Sequence, residues 1–374
     1  MNQIITVLFG GPSPEHDISI LTGLQCERIL AEASQPVQAV YWTRNGEWRL
    51  VEAGREAKDF LDGAPAGSLK LEFRLDAEPG FYRRGALRTR PLPLGIVLNC
   101  CHGGPGEAGT LNGLFEMLGI PATGGPSAAA ALGMDKLAFG AVVNSAGLPS
   151  LPRAPLLENG PDPTHGGPYI VKPRYGGSSL GIEIVHDLTT ARDLLATSPL
   201  LRAGAVIEPY KAGADDLNIA FRTHPSFESS LLERPLRAAD SFYSYSDKYL
   251  QGGEGLVSAP REIPAKVPDQ VAEQARKLAR AIANLVGVSG ITRLDFLLSG
   301  GELYINEINT IPGAMALYLW PDQISYAQLL LDMVAEARGR KYLATSSAKH
   351  TGAALRTAGG IAGKLVRLSG QVET

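Results

Sequence analysis

Apolar runs that stop at glycine loops and are followed by helical spacing constrain the fold of this chain most strongly. The run IITVLFGG, residues 4–11, is β-branched and ends in two glycines, as a buried strand does. The next stretch, ISILTGLQCERILAEA, places apolar residues at helical spacing. LGIVLNCCHGG followed by GTLNGLFEMLGIPATGG repeats this order. The alternation predicts an α/β domain with a parallel sheet.

Further along the chain, strand patterns outnumber helical ones. PYIVKPRYGGSSLGIEIVHD predicts a strand, a glycine-rich turn and a second strand, and AVIEPY predicts another strand. VPDQVAEQARKLARAIANLVG is the one clear helix between DDLNIAFRT and LYINEINT, so this part is expected to be α+β. In the N-terminal part, Asn45-Gly46 predicts a hairpin turn. A surface loop before the central strands is indicated by Pro152, Pro155, Pro161 and Pro163.

A chain of 374 residues suits two or three domains. We expect an N-terminal α/β domain over residues 1–126, a central domain over 127–212 and a C-terminal domain over 213–340. Residues 341–374 are rich in Ala, Gly, Ser and basic side chains and are expected to form a peripheral tail.

Composition excludes several functional classes. The net charge of -3, with both signs mixed along the chain, argues against nucleic-acid or membrane-surface binding. No apolar run approaches the roughly 20 residues of a membrane span. Three cysteines, two of them adjacent, make no disulfide framework and fit a reducing compartment. The N-terminal stretch has neither the basic nor the apolar region of a signal peptide, so a cytoplasmic location is expected.

Two short patterns indicate anion and metal chemistry. In KPRYGGSSLG, glycines and serines let the backbone approach a phosphate, although an ordinary glycine hairpin has the same composition. Asp295, Glu307 and Asn309 lie on two apolar runs, where a buried carboxylate requires a cation or a partner. Glu307 and Asn309 are two residues apart and share a strand face, so three oxygen ligands for magnesium are predicted. The alternative is a buried salt bridge between Asp295 and Arg293.

Several polar residues have simpler explanations when each is taken alone. Taken singly, Lys136, Lys172 and Lys248 fit solvated surface lysines, which is usually the right interpretation for a lone lysine. Glu15, together with His16, is in the right place to cap the following helix. A lone histidine that ends a strand, such as His102, is more often structural than catalytic.

The order of the motifs changes these interpretations. FGGPSPEHDIS, HGGPGEAGTLNG, MDK, VKPRYGGSSLG, SYSDKYL, GITRLDFLL and YINEINTIPG follow one another over residues 9–313. Together they resemble the D-alanine:D-alanine ligase family of the ATP-grasp superfamily. The resemblance implies a three-domain ATP-grasp fold with the nucleotide between the central and C-terminal domains. It also implies ATP, Mg²⁺ or Mn²⁺ with two ions expected, small amino acid substrates and a homodimer.

The resemblance also implies a nucleotide site. Lys136 and Lys172 resemble the lysines that hold the α- and β-phosphates, and Glu208 is expected to face the exocyclic amine of adenine. Alignment on LNIA favours Asp216 over Asp215 as the ribose ligand. The implied nucleotide-binding residues are Lys136, Lys172, Ser179, Glu208, Pro209, Tyr210, Lys211, Asp216 and Lys248.

The implied catalytic residues match the family position by position. Asp295, Glu307 and Asn309 match metal ligands, Arg293 matches the arginine that neutralises the transferred phosphoryl group, and Gly313 matches an oxyanion donor. A further group, Glu15, Ser178 and Tyr249, is similar to the trio that holds the amine of the first amino acid and links to a lid, SFYSYSDKYLQGGEGL.

The pocket for the second substrate departs from the family pattern. Tyr318 stands where the family has a serine that, with the lid lysine, binds the second carboxylate, and AMALYLW is unusually apolar. We expect His102, Tyr318 and Leu319 to line this pocket, or Tyr318 to point into the core after a loop shift. Ala108 and Gly177 also replace residues that are usually charged or polar.

Three functions remain open from the sequence. The chain is a housekeeping D-alanine:D-alanine ligase, a specialised ligase that joins a different second amino acid or amine, or a nucleotide-binding module without catalysis. A dinucleotide oxidoreductase is disfavoured, because GGPSPE lacks the fingerprint spacing.

Overall fold

A computed structural model describes residues 3–76, 78–84, 88–236, 260–321, 324–340 and Leu355. The chain divides into two compact units, residues 1–340 and 341–374, and the description below concerns the first. The predicted lid with Lys248 and Tyr249, and the predicted tail apart from Leu355, lie outside the described residues. The domain boundaries given above stay predictions.

The N-terminal sheet has six strands in chain order. They are β1 (Ile5–Gly10), β2 (Val37–Trp42), β3 (Trp48–Val51), β4 (Leu69–Arg74), β5 (Gly80–Arg84) and β6 (Thr89–Pro91). A seventh strand, β7 (Ile96–Asn99), runs alongside β1, with backbone hydrogen bonds from Ile96 N to Ile4 O at 3.1 Å and from Cys100 N to Leu8 O at 2.7 Å.

Parallel pairing is confined to part of this sheet. β1 and β2 pair in parallel, as the alternating strand and helix patterns predict, and β7 runs in the same direction as β1. The pairs from β2 to β6 are antiparallel hairpins. The hairpin predicted at Asn45-Gly46 joins β2 to β3, where Trp42 lies opposite Trp48.

The middle sheet contains four strands in the order β10-β9-β11-β8. They are β8 (Ala154–Leu156), β9 (Tyr169–Pro173), β10 (Glu183–Val185) and β11 (Ala205–Pro209). β9 and β10 are the strands predicted on either side of the glycine-rich turn. β8 is a correction, because Pro155 was expected in a surface loop and instead lies in an edge strand, where a missing N–H is tolerated.

The third sheet contains five strands in the order β14-β13-β12-β15-β16. They are β12 (Asp215–Arg222), β13 (Glu228–Pro235), β14 (Arg261–Glu262), β15 (Thr292–Ser299) and β16 (Glu302–Asn309). After β16, residues Gly313–Leu319 form a tight turn in which Ala314, Met315 and Ala316 have left-handed backbone conformations. Its Met315, Leu317 and Leu319 join the core of the N-terminal sheet, so this turn ties the third sheet to the first.

Helices cover these sheets. They are α1 (His16–Glu32), α2 (Gly104–Glu107), α3 (Thr110–Leu118), α4 (Ser127–Met134), α5 (Lys136–Ser145), α6 (Leu188–Thr197), α7 (Asp269–Val286) and α8 (Tyr326–Gly339). α7 is the helix predicted within the strand-rich region, and its buried stripe packs on β12 and β16. None of the helices in the described ranges has both the length and the apolar character that crossing a bilayer requires.

Candidate active site

One large cavity of about 880 Å³ gathers residues from the second and third sheets, from helix α1 and from the loops after β1 and β7. The sequence analysis named twenty site residues, and seventeen of them line this cavity. They are Glu15, His102, Lys136, Lys172, Ser178, Ser179, Glu208, Pro209, Tyr210, Lys211, Asp216, Arg293, Asp295, Glu307, Asn309, Gly313 and Tyr318. Lys248 and Tyr249 lie outside the described residues.

Leu319 is the exception, and its prediction is wrong. Its side chain is completely buried in the core shared with the N-terminal sheet and does not line the cavity. The tight turn Gly313–Leu319 directs the Leu319 side chain toward the core. The apolar run AMALYLW is therefore mainly a core element, and it contributes Ala314 and Tyr318 to the cavity.

The glycine-rich turn between β9 and β10 lies over the cavity. Ser178 and Ser179 both adopt left-handed backbone conformations, with φ of 56° and 58°, next to Gly176 at 100°. This conformation keeps the turn compact and holds both serines at the cavity wall. The arrangement supports the phosphate-binding interpretation over an ordinary hairpin.

Two lysines and a glutamate form a connected group below this turn. Lys172 Nζ donates to Glu208 Oε2 at 3.0 Å and to Asn306 Oδ1 at 3.2 Å. Lys136 Nζ donates to the carbonyl of Gly176. Burial lowers the pKa of Lys136, while the charge of Glu307 opposes that shift. Neither lysine is a solvated surface group, since both are buried at the cavity wall.

Glu208 is buried but electrostatically compensated. Burial opposes its ionisation, but the charges of Arg153 and Lys172 outweigh burial and lower its pKa. Arg153 Nε lies 3.0 Å from Glu208 Oε1 in an ion pair without hydrogen-bond alignment. Glu208 therefore stays anionic and can accept a hydrogen bond from an amine of a bound base.

The two candidate ribose ligands separate clearly. Asp216 is half-buried and lines the cavity. Asp215 is exposed outside the cavity, and its Oδ2 lies 3.4 Å from Arg234 Nη2. The alignment that favours Asp216 agrees with this placement.

The predicted metal ligands face one another across two strands. Asp295 on β15 pairs directly with Glu307 on β16, and Arg293 pairs with Asn309. A bulge between Asp295 and Phe296 adds one residue to β16, and both Asn306 and Glu307 line the cavity there. Two carboxylates in directly opposed positions repel each other, which favours a bound cation.

The salt bridge that the sequence left as an alternative is also present. Arg293 Nε donates to Asp295 Oδ1 at 2.7 Å and Arg293 Nη2 donates to Asp295 Oδ2 at 2.8 Å. Asn309 Nδ2 also donates to Asp295 Oδ2 at 3.1 Å. The set of two carboxylates and one amide oxygen fits a hard divalent cation, provided that Arg293 yields one of its hydrogen bonds.

The side chain of Glu15 lines the cavity and does not cap helix α1. Glu15 precedes α1, yet its side chain makes no capping hydrogen bond. Its Oε1 accepts instead from Ser178 Oγ on the glycine-rich turn. This contact joins the loop before α1 to the glycine-rich turn. The neighbouring His16 is structural, because its nitrogens lie 2.6 Å from Gly11 O and 2.9 Å from Tyr41 Oη.

Glu107, which the sequence analysis left out of the site, lies beside Glu15. Burial and the charge of Glu15 raise its pKa to about 8. Its Oε2 accepts from Gly103 N at 2.7 Å, and its Oε1 from Ile311 N at 3.4 Å. The side chain is therefore protonated at neutral pH and connects the loop after β7 to the turn after β16.

His102 has a structural role in the same connection. Its Nδ1 donates to Ile311 O at 2.7 Å, because a carbonyl can only accept. Its Nε2 then accepts from Thr22 Oγ1 at 2.8 Å. Burial lowers the pKa of His102, which keeps the ring neutral. His102 lines the cavity as predicted, but both ring nitrogens are already engaged.

Tyr318 lines the cavity, while its ring also packs against the buried core. Its hydroxyl donates to Glu233 Oε2 at 3.2 Å, and the guanidinium carbon of Arg261 lies 4.5 Å from its ring centroid. Burial and the charge of Glu233 raise the pKa of Tyr318. The hydroxyl is thus a proton donor already paired with a buried carboxylate.

Sequence reasoning missed several cavity residues, which are Glu107, Asn218, Glu233, Arg261 and Asn306. A signal was available for two of them, because Glu233 in SSLLERP and Asn306 in LYINEIN interrupt apolar strand patterns in the same way as Asp295. Arg261 has no such signal, because it stands at the start of a two-residue strand.

Comparison with known proteins identifies the family of the chain. The model of the D-ala D-ala ligase N-terminus matches residues 4–125, and that of the D-ala D-ala ligase C-terminus matches residues 161–334. A D-alanine–D-alanine ligase from Corynebacterium aurimucosum is 31% identical over 357 residues, covering 90% of this chain and 98% of the relative. One from Mycolicibacterium vanbaalenii is 33% identical over 369 residues, covering 90% and 97%.

Solved structures show the same architecture. The D-alanine–D-alanine ligase of Helicobacter pylori aligns with a TM-score of 0.70 at 25% identity, over 91% of this chain and all of that one. The VanG D-Ala:D-Ser ligase of Enterococcus faecalis aligns with a TM-score of 0.73 at 22% identity, over 90% of this chain and 100% of that one. At this identity the similarity shows a shared fold only. With both family models covering most of its length, the chain belongs to the D-alanine–D-alanine ligase family and has its ATP-grasp fold.

Proposed function

We propose that this protein is an ATP-dependent ligase that joins the carboxylate of one amino acid, of the D-alanine class, to the amine of a second substrate. The observation that carries the proposal is the single cavity in which lysines, opposed carboxylates and the Glu15–Ser178 pair converge. A binding module without catalysis would have no use for Asp295, Glu307 and Arg293 beside the nucleotide subsite. Family membership supports the same conclusion.

The nucleotide is expected at the β9–β11 side of the cavity. Glu208 would accept from the adenine amine, Asp216 would bind the ribose, and Lys136 and Lys172 would neutralise phosphate oxygens. Lys172 now donates to Glu208 and Asn306, so binding exchanges these contacts for phosphate contacts.

Asp295, Glu307 and Asn309 are the residues that would hold Mg²⁺ or Mn²⁺, with two ions expected. When bound, the metal would neutralise charge on the β- and γ-phosphates of ATP. A metal held by Asp295 would compete with Arg293 for one of the two hydrogen bonds to that carboxylate. The role proposed for Arg293 is to neutralise charge on the transferred phosphoryl group.

The proposed reaction has two steps. A carboxylate oxygen of the first amino acid attacks the γ-phosphorus, forming an acyl phosphate and releasing ADP. The amine of the second substrate then attacks the acyl carbon, loses a proton and expels phosphate. Glu15 would fix the ammonium group of the first amino acid, with Ser178 holding the Glu15 carboxylate in place. The protein mainly aligns anions and neutralises charge.

One observation favours a second substrate other than D-alanine. Tyr318 replaces a small hydroxyl residue, and its own hydroxyl already donates to Glu233. A carboxylate placed for the smaller side chain would collide with the ring. A specialised ligase with a different or differently placed nucleophile is therefore the second candidate, and phosphate release across pairs of D- and L-amino acids with mass detection separates it from the first.

Location and assembly are part of the proposal. Cys26, Cys100 and Cys101 are free thiols in the structure, which supports function in the cytoplasm. A homodimer is proposed on the family resemblance, and sedimentation equilibrium of the purified chain should give twice the monomer mass.

Glu307→Gln tests the proposed metal site. The substitution keeps the shape of the side chain and removes the charge of one ligand. Phosphate release should fall at least about 100-fold, because the developing phosphoryl charge loses its counterion. Glu302→Gln is the matched control on the same strand, exposed and outside the cavity, and should retain wild-type turnover. Equal turnover in Glu307→Gln and wild type would reject the assignment.

A further inference from the structure

A charged cluster lines the cavity in the region of Tyr318 and has no role in the reaction as described above. Glu233 on β13 is 3% exposed and accepts from Asn218 Nδ2 at 3.0 Å and from Tyr318 Oη at 3.2 Å through the same oxygen. Its other oxygen lies 3.1 Å from Arg261 Nη1 on β14. Burying these charges is costly, so the cluster needs a reason beyond stability.

Within this cluster, Tyr318 and Glu233 hydrogen-bond to each other, whereas Arg261 has N–H donors that can bind a substrate anion. Tyr318 has a single hydroxyl proton, which it donates to Glu233. Arg261 is 25% exposed, lines the cavity and stacks on the Tyr318 ring. A guanidinium has five N–H donors in a planar fork that fits a carboxylate, and stacking fixes the plane of that fork.

The cluster lies beside the reacting centre. Arg293 lines the same cavity as Tyr318, Glu233 and Arg261, and it lies within electrostatic range of both Tyr318 and Glu233. Gly313 opens the turn that carries Tyr318. A small amino acid whose carboxylate is bound by Arg261 could therefore place its amine at the acyl group.

We propose that Arg261 binds the carboxylate of the second amino acid, and that Glu233 and Tyr318 are positioning residues that orient its guanidinium. The inference rests on the proposed ligase function. It assigns the second substrate to α-amino acids that bear a free carboxylate, in preference to simple amines. It also explains how a tyrosine can replace a small hydroxyl residue without loss of anion binding.

Arg261→Met, Arg261→Lys and the control Arg234→Met test the assignment. Arg234 belongs to the same strand pair but lies outside the cavity, near Glu262 and Asp215. Each protein is given ATP, Mg²⁺ and D-alanine as the first substrate. D-Alanine, D-alaninamide and ethylamine are offered together as competing second substrates, and each product is quantified by mass spectrometry. Hydroxylamine separately traps the acyl phosphate as a hydroxamate.

Arg261→Met should reduce the preference for D-alanine over D-alaninamide by about 10- to 100-fold, the loss of a charge-assisted hydrogen bond. Hydroxamate formation should stay within about threefold of wild type, since it needs no second carboxylate. Arg261→Lys should restore part of the preference, and Arg234→Met should match wild type. These results would distinguish binding from a folding defect.

Positioning has its own readout. Tyr318→Phe should raise the KM for the second amino acid while the kcat at saturation and the KM for ATP stay near wild type. An unchanged preference in Arg261→Met, or an equal loss for D-alanine and ethylamine, would overturn the role of Arg261. Absence of hydroxamate from the wild-type enzyme with every amino acid tested would instead reject the ligase function itself, and this inference with it.

Discussion

Asp295 shows why two explanations of one residue need not exclude each other. The sequence offers a metal ligand or a salt bridge to Arg293, and in the structure the carboxylate makes the salt bridge while facing Glu307 across the strands. The sequence predicts both partners of Asp295, Arg293 and Glu307, because each partner lies at a neighbouring position on the same strand or on the adjacent strand. Glu233 interrupts an apolar strand pattern, but its pairing with Arg261 was not predictable, because Arg261 stands at the start of a two-residue strand without a sequence signal.

Glu107 supplies a pH test at the level of one residue. Its pKa of about 8 exceeds the usual value because of burial, with Glu15 contributing. The folded state therefore keeps a proton that the unfolded chain releases above its own lower pKa. This contribution to the free energy of unfolding is complete below the unfolded pKa and is lost as pH rises to about 8.

Glu107→Gln should remove that loss, so the stability of the variant relative to wild type should rise by about 1–4 kcal/mol from pH 5 to pH 9. Urea unfolding at both pH values measures the difference. The control Glu52→Gln changes an exposed carboxylate and should follow the wild-type pH dependence. Identical pH dependence in Glu107→Gln and wild type would contradict the assigned protonation state.

Among the elements, those with local signals were predicted and those set by tertiary contacts were not. The glycine-rich turn, the Asn45-Gly46 hairpin and helix α7 follow from turn chemistry and periodicity. β8 was missed because Pro155 argues against a strand unless the strand lies at an edge, and edge position is a property of the sheet. The bulge at Asn306 was missed because it depends on the register between β15 and β16.

The turn after β16 gives a test at the level of one element. Ala314, Met315 and Ala316 have φ of 49°, 50° and 48°. This left-handed backbone conformation is energetically unfavourable for residues that carry a Cβ atom. Ala314 N donates to Thr22 Oγ1 at 3.1 Å, and Met315 and Ala316 are buried, so packing enforces the conformation. Ala314→Val should destabilise by about 1–3 kcal/mol, whereas Ala314→Gly should stay within about 1 kcal/mol of wild type. Urea unfolding that gave equal stabilities for the two variants would contradict the strain.

For the whole molecule, the sequence predicts the strands and helices better than the contacts between them. Parallel pairing holds for β1, β2 and β7, but the antiparallel strands β3–β6 extend the sheet beyond it. The cavity forms because Glu15 contacts Ser178 and His102 contacts the carbonyl of Ile311, residues far apart in sequence. Resemblance to a family, not periodicity, brought these residues into one predicted site.

The central claim is that one cavity makes an acyl phosphate from a substrate carboxylate and ATP. The most direct measurement uses D-alanine labelled with oxygen-18 in its carboxylate, with ATP, Mg²⁺ and the best second substrate, and mass analysis of the released phosphate. The proposed mechanism predicts one labelled oxygen per phosphate, in a one-to-one ratio with ligated product, and loss of both in Glu307→Gln. Phosphate that carries no label while the ligated product accumulates would contradict the mechanism.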